Sequence, residues 1–119
     1  MKPSKVLIAD DSLLMHKLLH ALLPRSTVVH AMDGREALSR LEDHPDVELL
    51  IVDLTMPTMS GVELVESLAA SGMLARVPVV IMTTEGKEQD ALACLQAGAA
   101  GYVRKPFQCQ QLLDLIERL

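Results

Sequence analysis

Four short apolar runs in this chain give way to residues that carry a charge or a hydroxyl. Lys5–Ala9 is followed by Asp10 and Asp11, and Leu49–Val52 by Asp53; Pro78–Met82 is followed by Thr83 and Thr84, and Gly101–Arg104 by Lys105 and Pro106. Carboxylates gathered in one place repel, and each ionises at a cost beside the others. A hard divalent cation removes that penalty. Mg²⁺ suits the set, because it accepts one or two carboxylates, keeps several waters and takes phosphate oxygens. Lys105 adds a point charge able to neutralise a carboxylate or hold an incoming phosphoryl oxygen. Thr83 adds a hydroxyl that can donate to an anion. This set suits phosphoryl transfer onto a carboxylate, where catalysis is mostly positioning and charge neutralisation. Asp53 is the best-placed nucleophile, at the end of the central run with the other groups around it.

These residues serve one site only if the runs lie side by side. The chain alternates regularly between strand and helix patterns. The strands are expected at Lys5–Ala9, Thr27–Ala31, Leu49–Val52, Pro78–Met82 and Gly101–Arg104. Leu49–Val52 is apolar without a break, the mark of a strand buried on both faces. Helical patterns run over Ser12–Leu23, from Asp33-Gly34 to about His44, and over Val62–Ser71, Glu88–Ala97 and Phe107–Leu119. Pro24, Pro45, Gly72 and Gly98 stand at or beyond four of the helix ends, where such stop signals belong. The loop Asp53–Gly61 carries Pro57 and Gly61. The expected fold class is α/β, a (βα)5 doubly wound parallel five-stranded sheet with helices on both faces. In such sheets, ligand chemistry collects beyond the carboxyl ends of the strands.

Length and composition narrow the partners. The 119 residues make one domain, expected to span residues 1–119. With Tyr102 and Phe107 the only aromatics and no Trp, the core must be aliphatic. Sixteen acidic against eleven basic residues leave a formal charge of -5, which argues against a nucleic-acid surface. No apolar run approaches the roughly 20 residues needed to span a bilayer. Met1–Lys5 leads into only four apolar residues before Asp10, too few for a secretory signal. Cys94 and Cys109 form no CxxC pair and read as packing cysteines of a reduced, cytoplasmic protein.

Taken together and in order, Asp10-Asp11, Asp53–Gly61, Thr83 and Gly101–Phe107 make the chain resemble the receiver domain of bacterial two-component response regulators, of the chemotaxis-regulator kind. The resemblance covers essentially the whole chain. It implies the flavodoxin-like strand order 2-1-3-4-5. It implies that Asp53 is the phosphoacceptor, and that Asp11, Asp53 and the backbone carbonyl of Thr55 ligate Mg²⁺, with Asp10 acting through metal-bound water. It implies that Thr83 and Lys105 contact the phosphoryl group, that Thr83 and Tyr102 form the switch, and that Pro106 follows a cis bond. The implied partners are a sensor histidine kinase or histidine phosphotransfer protein, and an output protein or fused output domain; a phosphorylation-dependent dimer is also compatible. The domain would catalyse only its own phosphorylation and dephosphorylation, either alone or as the N-terminal part of a longer regulator. Thr84 departs from the smaller residue common after the switch threonine. Thr55 and Glu85 lie where the family varies and phosphoryl lifetime is tuned.

Plainer roles exist for each residue. Asp10-Asp11-Ser12 would cap a helix, Asp53 would make a turn bond, and Tyr102 would be a core-edge aromatic with a wet hydroxyl. Their common register favours the site. A nucleotide- or flavin-binding module would need a Gly-rich phosphate loop after the first strand, where Asp10-Asp11 stands instead. A phosphatase would need a general acid two residues after its nucleophile, where Thr55 stands. An unphosphorylated scaffold would have no need of the complete site.

Two helices carry surplus apolar residues. The first spreads Leu13, Leu14, Met15, Leu18, Leu19, Ala21, Leu22 and Leu23 over an arc of about 200°. One packed face needs little over half of that, so Leu14, Met15 and Leu18 are expected to dock a kinase or phosphotransfer helix. His16 and His20, one turn apart, could be read as a metal pair, but they are placed instead on its polar, solvated face. The fourth helix is apolar nearly all round and, with the last strand and helix, is expected to form the output face.

Overall fold

The computed structural model describes all residues from Met1 to Leu119. Five strands form one parallel sheet: β1 (Lys5–Ala9), β2 (Thr27–Ala31), β3 (Leu49–Asp53), β4 (Val79–Thr83) and β5 (Gly101–Arg104). Their order is β2-β1-β3-β4-β5. The chain therefore has the flavodoxin-like α/β fold. Between and after the strands run α1 (Leu13–Leu22), α2 (Gly34–Asp43), α3 (Gly61–Ala70), α4 (Glu88–Ala97) and α5 (Cys109–Glu117).

Side chains alternate across each strand and build two cores. Leu7, Ala9, Leu50, Val52, Val79 and Ile81 face one side, where α2, α3 and α4 cover them. Val6, Ile8, Leu49, Ile51, Val80 and Met82 face the other, where α1 and α5 pack through Leu19, Leu23, Leu112 and Ile116. Every residue of β3 and β4 is buried. The unbroken apolar runs follow from that double coverage, and so does the position of Asp53 at the middle of the sheet edge.

The helix ends shift from the sequence expectation by one or two residues, for local reasons. Ser12 is not helical but caps α1, its hydroxyl accepting the Met15 N–H at 3.2 Å. Ser60 and Glu63 form a capping box that starts α3 at Gly61. Phe107 and Gln108 precede α5 instead of opening it. Asp53 and Thr83 belong to their strands, whereas Pro78 lies just outside β4. A short 3₁₀ turn, Met73–Ala75, was not expected; it follows Gly72, which adopts φ 80°. Cys94 is buried as expected, its thiol pushed up to about 11, chiefly by desolvation. Cys109 is exposed, so only one of the two cysteines is a packing residue.

Gly61 fixes how closely α3 approaches the site. A Cβ there would stand 2.4 Å from the Asp53 carbonyl oxygen and 2.7 Å from Leu54 Cα, both backbone atoms that cannot swing aside. Gly61→Ala is therefore expected to cost about 2–4 kcal/mol by forcing α3 off the sheet edge. Urea unfolding of the two proteins checks this, and equal midpoints would contradict it.

Candidate functional site

The carboxyl ends of β1, β3, β4 and β5 meet at one edge of the sheet. Asp10 leaves β1 fully buried, and Asp53 ends β3 nearly so, while Asp11 is exposed. Oxygens of the three carboxylates lie within 4.8 Å of one another. The Lys105 ammonium sits between the two buried ones, 3.0 Å from Asp10 Oδ2 and 3.5 Å from Asp53 Oδ2. The Lys105–Pro106 peptide bond is cis, and the Lys105 N–H donates to the Thr83 carbonyl at 2.7 Å. That bond ties the lysine's backbone to the end of β4.

The two buried carboxylates are not in equal settings. Asp10 takes an ammonium on Oδ2 and the Ser12 N–H on Oδ1 at 2.8 Å. Asp53 receives only the longer Lys105 contact and a Thr55 N–H at 3.5 Å. Burial, and after it the negative charge of Asp10, push the Asp53 carboxyl above its ordinary value, while Lys105 and the Thr55 N–H partly offset them. Asp53 is therefore a carboxylate whose charge is held at a cost and whose oxygens are poorly partnered. An all-oxygen donor set with that surplus of negative charge fits a hard divalent cation such as Mg²⁺.

The other site residues stand around this edge. Thr83 is buried, and its hydroxyl makes only a long 3.4 Å bond to the Thr84 carbonyl, which leaves it a free donor in practice. Thr84 and Glu85 are exposed, and Glu85 pairs loosely with Arg104 at 3.8 Å. Tyr102 lies on β5 with 51% of its surface exposed, turned out of the sheet. Beneath it, a cleft of about 340 Å³ is lined by Thr83, Ala91, Leu92 and Leu95 among others. Thr55 is exposed in the loop after Asp53. In the same loop Thr58 takes φ 65°, which a β-branched residue rarely adopts.

On α1, Leu14 and Leu18 are exposed beside the acidic edge, Leu14 by 77%. Met15 is different. It is half-buried and packs on the α1/α5 core, so it is mainly a core residue, whereas Leu13, outside the expected docking trio, is exposed. The expectation for His16 also fails. The residue is only 4% exposed and faces β2, because its ring reaches the Asp10 carbonyl and His30. On α4, Ala91 and Cys94 are buried, but Leu92 stands 53% exposed and Ala93 and Ala97 are uncovered.

Comparison with known proteins agrees with this geometry. The family model for the response regulator receiver domain matches residues 6–117. The chain is 34% identical over 116 residues to chemotaxis protein CheY1 of Helicobacter pylori, covering 95% of this chain and 94% of that one. It is 36% identical to a chemotaxis protein CheY homolog of Campylobacter jejuni, covering 95% and 89%. Among solved structures, it resembles a response regulator receiver domain protein from Clostridium thermocellum with a TM-score of 0.88, at 25% identity, over 97% of this chain and 92% of that one. A two-component system response regulator/GGDEF domain protein superposes with a TM-score of 0.90 at 28% identity over 98% of this chain, which spans 49% of that protein. No helix is long and apolar enough to cross a membrane. Sequence, fold and the acidic sheet edge agree: the chain belongs to the receiver domains of two-component response regulators.

Proposed function

We propose that Asp53 accepts a phosphoryl group from the phosphohistidine of a sensor histidine kinase or histidine phosphotransfer protein in the cytoplasm, and that this switches an output face made by α4, β5 and α5. The observation that carries this is the Lys105 ammonium set between Asp10 and an under-partnered, buried Asp53. An Asp53 oxygen forms the new O–P bond as the histidine P–N bond breaks, and the imidazole leaves with a proton from solvent. Lys105 neutralises a phosphoryl oxygen as negative charge arrives, and Thr83 donates its hydroxyl to another. Asp10, Asp11, Asp53 and the Thr55 carbonyl would hold Mg²⁺, which when bound supplies charge neutralisation for the carboxylates and the phosphoryl oxygens. The domain changes only itself in this process and turns over no separate substrate.

Transmission follows from differential contacts. Once the Thr83 hydroxyl turns to the phosphoryl group, the cleft it lines is freed for Tyr102, whose ring moves inward from its exposed position. The face that changes carries exposed Leu92 and Arg104. It is offered to an output protein, a fused output domain or a second copy of the chain. Intact-mass measurement after acetyl-phosphate treatment with Mg²⁺ tests the reaction: one phosphoryl increment on the wild type and none on Asp53→Ala. An increment retained by Asp53→Ala would overturn it.

Leu14 and Leu18 make the surface that a kinase or phosphotransfer helix would cover. Leu14→Asp is the cleaner probe, since Met15→Asp would also disturb the core. Transfer from the cognate kinase is expected to fall by about tenfold or more, with labelling by acetyl phosphate unchanged. Equal transfer rates would remove Leu14 from the docking surface.

A further inference from the structure

Three imidazoles converge beside the acidic edge but outside it. His16 and His20 lie one turn apart on α1, and His30 comes from β2. His16 Nδ1 is 2.7 Å from His30 Nδ1, and the His20 and His30 ring centres are 5.7 Å apart. They share an open cleft of about 230 Å³ with Leu13, Lys17 and Met32. No carboxylate lines it. The set is thus chemically distinct from the oxygen-only cluster of Asp10, Asp11 and Asp53.

The hydrogen bonds fix which nitrogens carry lone pairs. His16 Nε2 lies 2.7 Å from the Asp10 carbonyl oxygen, which can only accept, so Nε2 carries the proton. That leaves Nδ1, 2.7 Å from His30 Nδ1, as the His16 nitrogen able to offer a lone pair. A histidine whose second ring nitrogen donates to a backbone carbonyl is held in the tautomer and orientation typical of a metal ligand.

We propose that His16, His20 and His30 form a site for a borderline divalent transition-metal ion of the Zn²⁺ class, separate from the oxygen site for Mg²⁺. Imidazole nitrogens prefer zinc, nickel and copper, whereas the carboxylates prefer magnesium. On binding, the facing Nδ1 atoms of His16 and His30 meet the metal instead of each other. A tetrahedral zinc ion with bonds of about 2.0–2.1 Å holds its nitrogens roughly 3.3 Å apart, so the His16–His30 pair must open by about 0.6 Å and both rings must tilt until their lone pairs converge on the ion. His20 is exposed and lies outside ligand distance of that pair, so it serves as third ligand by a side-chain rotation, with water as the fourth.

Zn²⁺ titration by calorimetry in excess Mg²⁺, on the full chain, tests the site. One equivalent of Zn²⁺ is expected to bind the wild type, with His30→Gln and His20→Ala each weakening it by about tenfold or more. Asp53→Asn is expected to bind Zn²⁺ as the wild type does. A cooperative thermal melt shows that each variant is folded; if His30→Gln fails that check, the exposed His20→Ala decides alone. The site is overturned if the wild type binds no Zn²⁺ at micromolar concentrations. It is equally overturned if the histidine variants bind like the wild type, or if Asp53→Asn abolishes binding. None of these outcomes depends on whether Asp53 is phosphorylated.

Discussion

Asp53→Asn is expected to give a protein that takes no phosphoryl group and is nevertheless more stable than the wild type in the absence of Mg²⁺. The loss of labelling follows because the amide oxygen and nitrogen are poor nucleophiles, and no other carboxylate of the cluster combines contact with Lys105 with oxygens to spare. Asp10 is held by Lys105 and the Ser12 N–H. The gain in stability follows because the carboxylate of Asp53 is desolvated and faces Asp10. Removing that charge while keeping the shape is expected to stabilise by about 0.5–2 kcal/mol, or several degrees in Tm. A site that is strained for function has this signature.

The pH dependence carries a sign that separates this cause from others. In the folded protein Asp53 binds its proton more tightly than at its ordinary value of 3.8. Below 3.8 the carboxyl is neutral in both folded and unfolded chains and contributes nothing unfavourable. As pH rises from 3.8 through the raised folded value, the unfolded chain releases its proton first and wild-type stability falls. Above that value the penalty is complete. The advantage of Asp53→Asn is therefore expected to be largest near neutral pH and to shrink under acid conditions. Thermal melts of both proteins across that range check it. An advantage that grows on acidification would contradict the assigned cause.

Much of this was legible in the sequence because burial on both faces leaves a plain mark. Leu49–Val52 and Val79–Met82 are continuous because the sheet is covered on both sides, and once they are parallel neighbours, Asp53 and Thr83 must share an edge. Lys105 joins them because β5 pairs with β4, with Thr83 opposite Arg104. What sequence patterning missed depends on tertiary partners. His16 is polar, and helical periodicity assigned it to solvent, yet the Asp10 carbonyl and His30 supply the hydrogen bonds that make its burial tolerable. The exchange of Met15 for Leu13 on the exposed arc has the same origin. The angle at which α1 lies on the sheet decides which side of a wide apolar arc is covered, and single-helix periodicity does not contain that angle. The 3₁₀ turn after Gly72 is too short to leave a periodic signal.

The placement of Lys105 gives the site its asymmetry. Its closer approach to Asp10 leaves Asp53 as the carboxylate with oxygens to spare, although both are buried. One ammonium against three carboxylates also leaves the edge with surplus negative charge. Lys105 alone does not cancel it. A divalent cation does, and the central claim is that this edge is built around one.

Thermal melting of the wild type with and without Mg²⁺, beside Asp53→Asn, tests that claim most directly. Mg²⁺ at about 100 times its dissociation constant is expected to stabilise the wild type by about 2.7 kcal/mol, or roughly 10 °C. A much smaller shift is expected for Asp53→Asn, which lacks one of the carboxylates. A wild type whose melting is unmoved by Mg²⁺, or a shift of equal size in the two proteins, would contradict it.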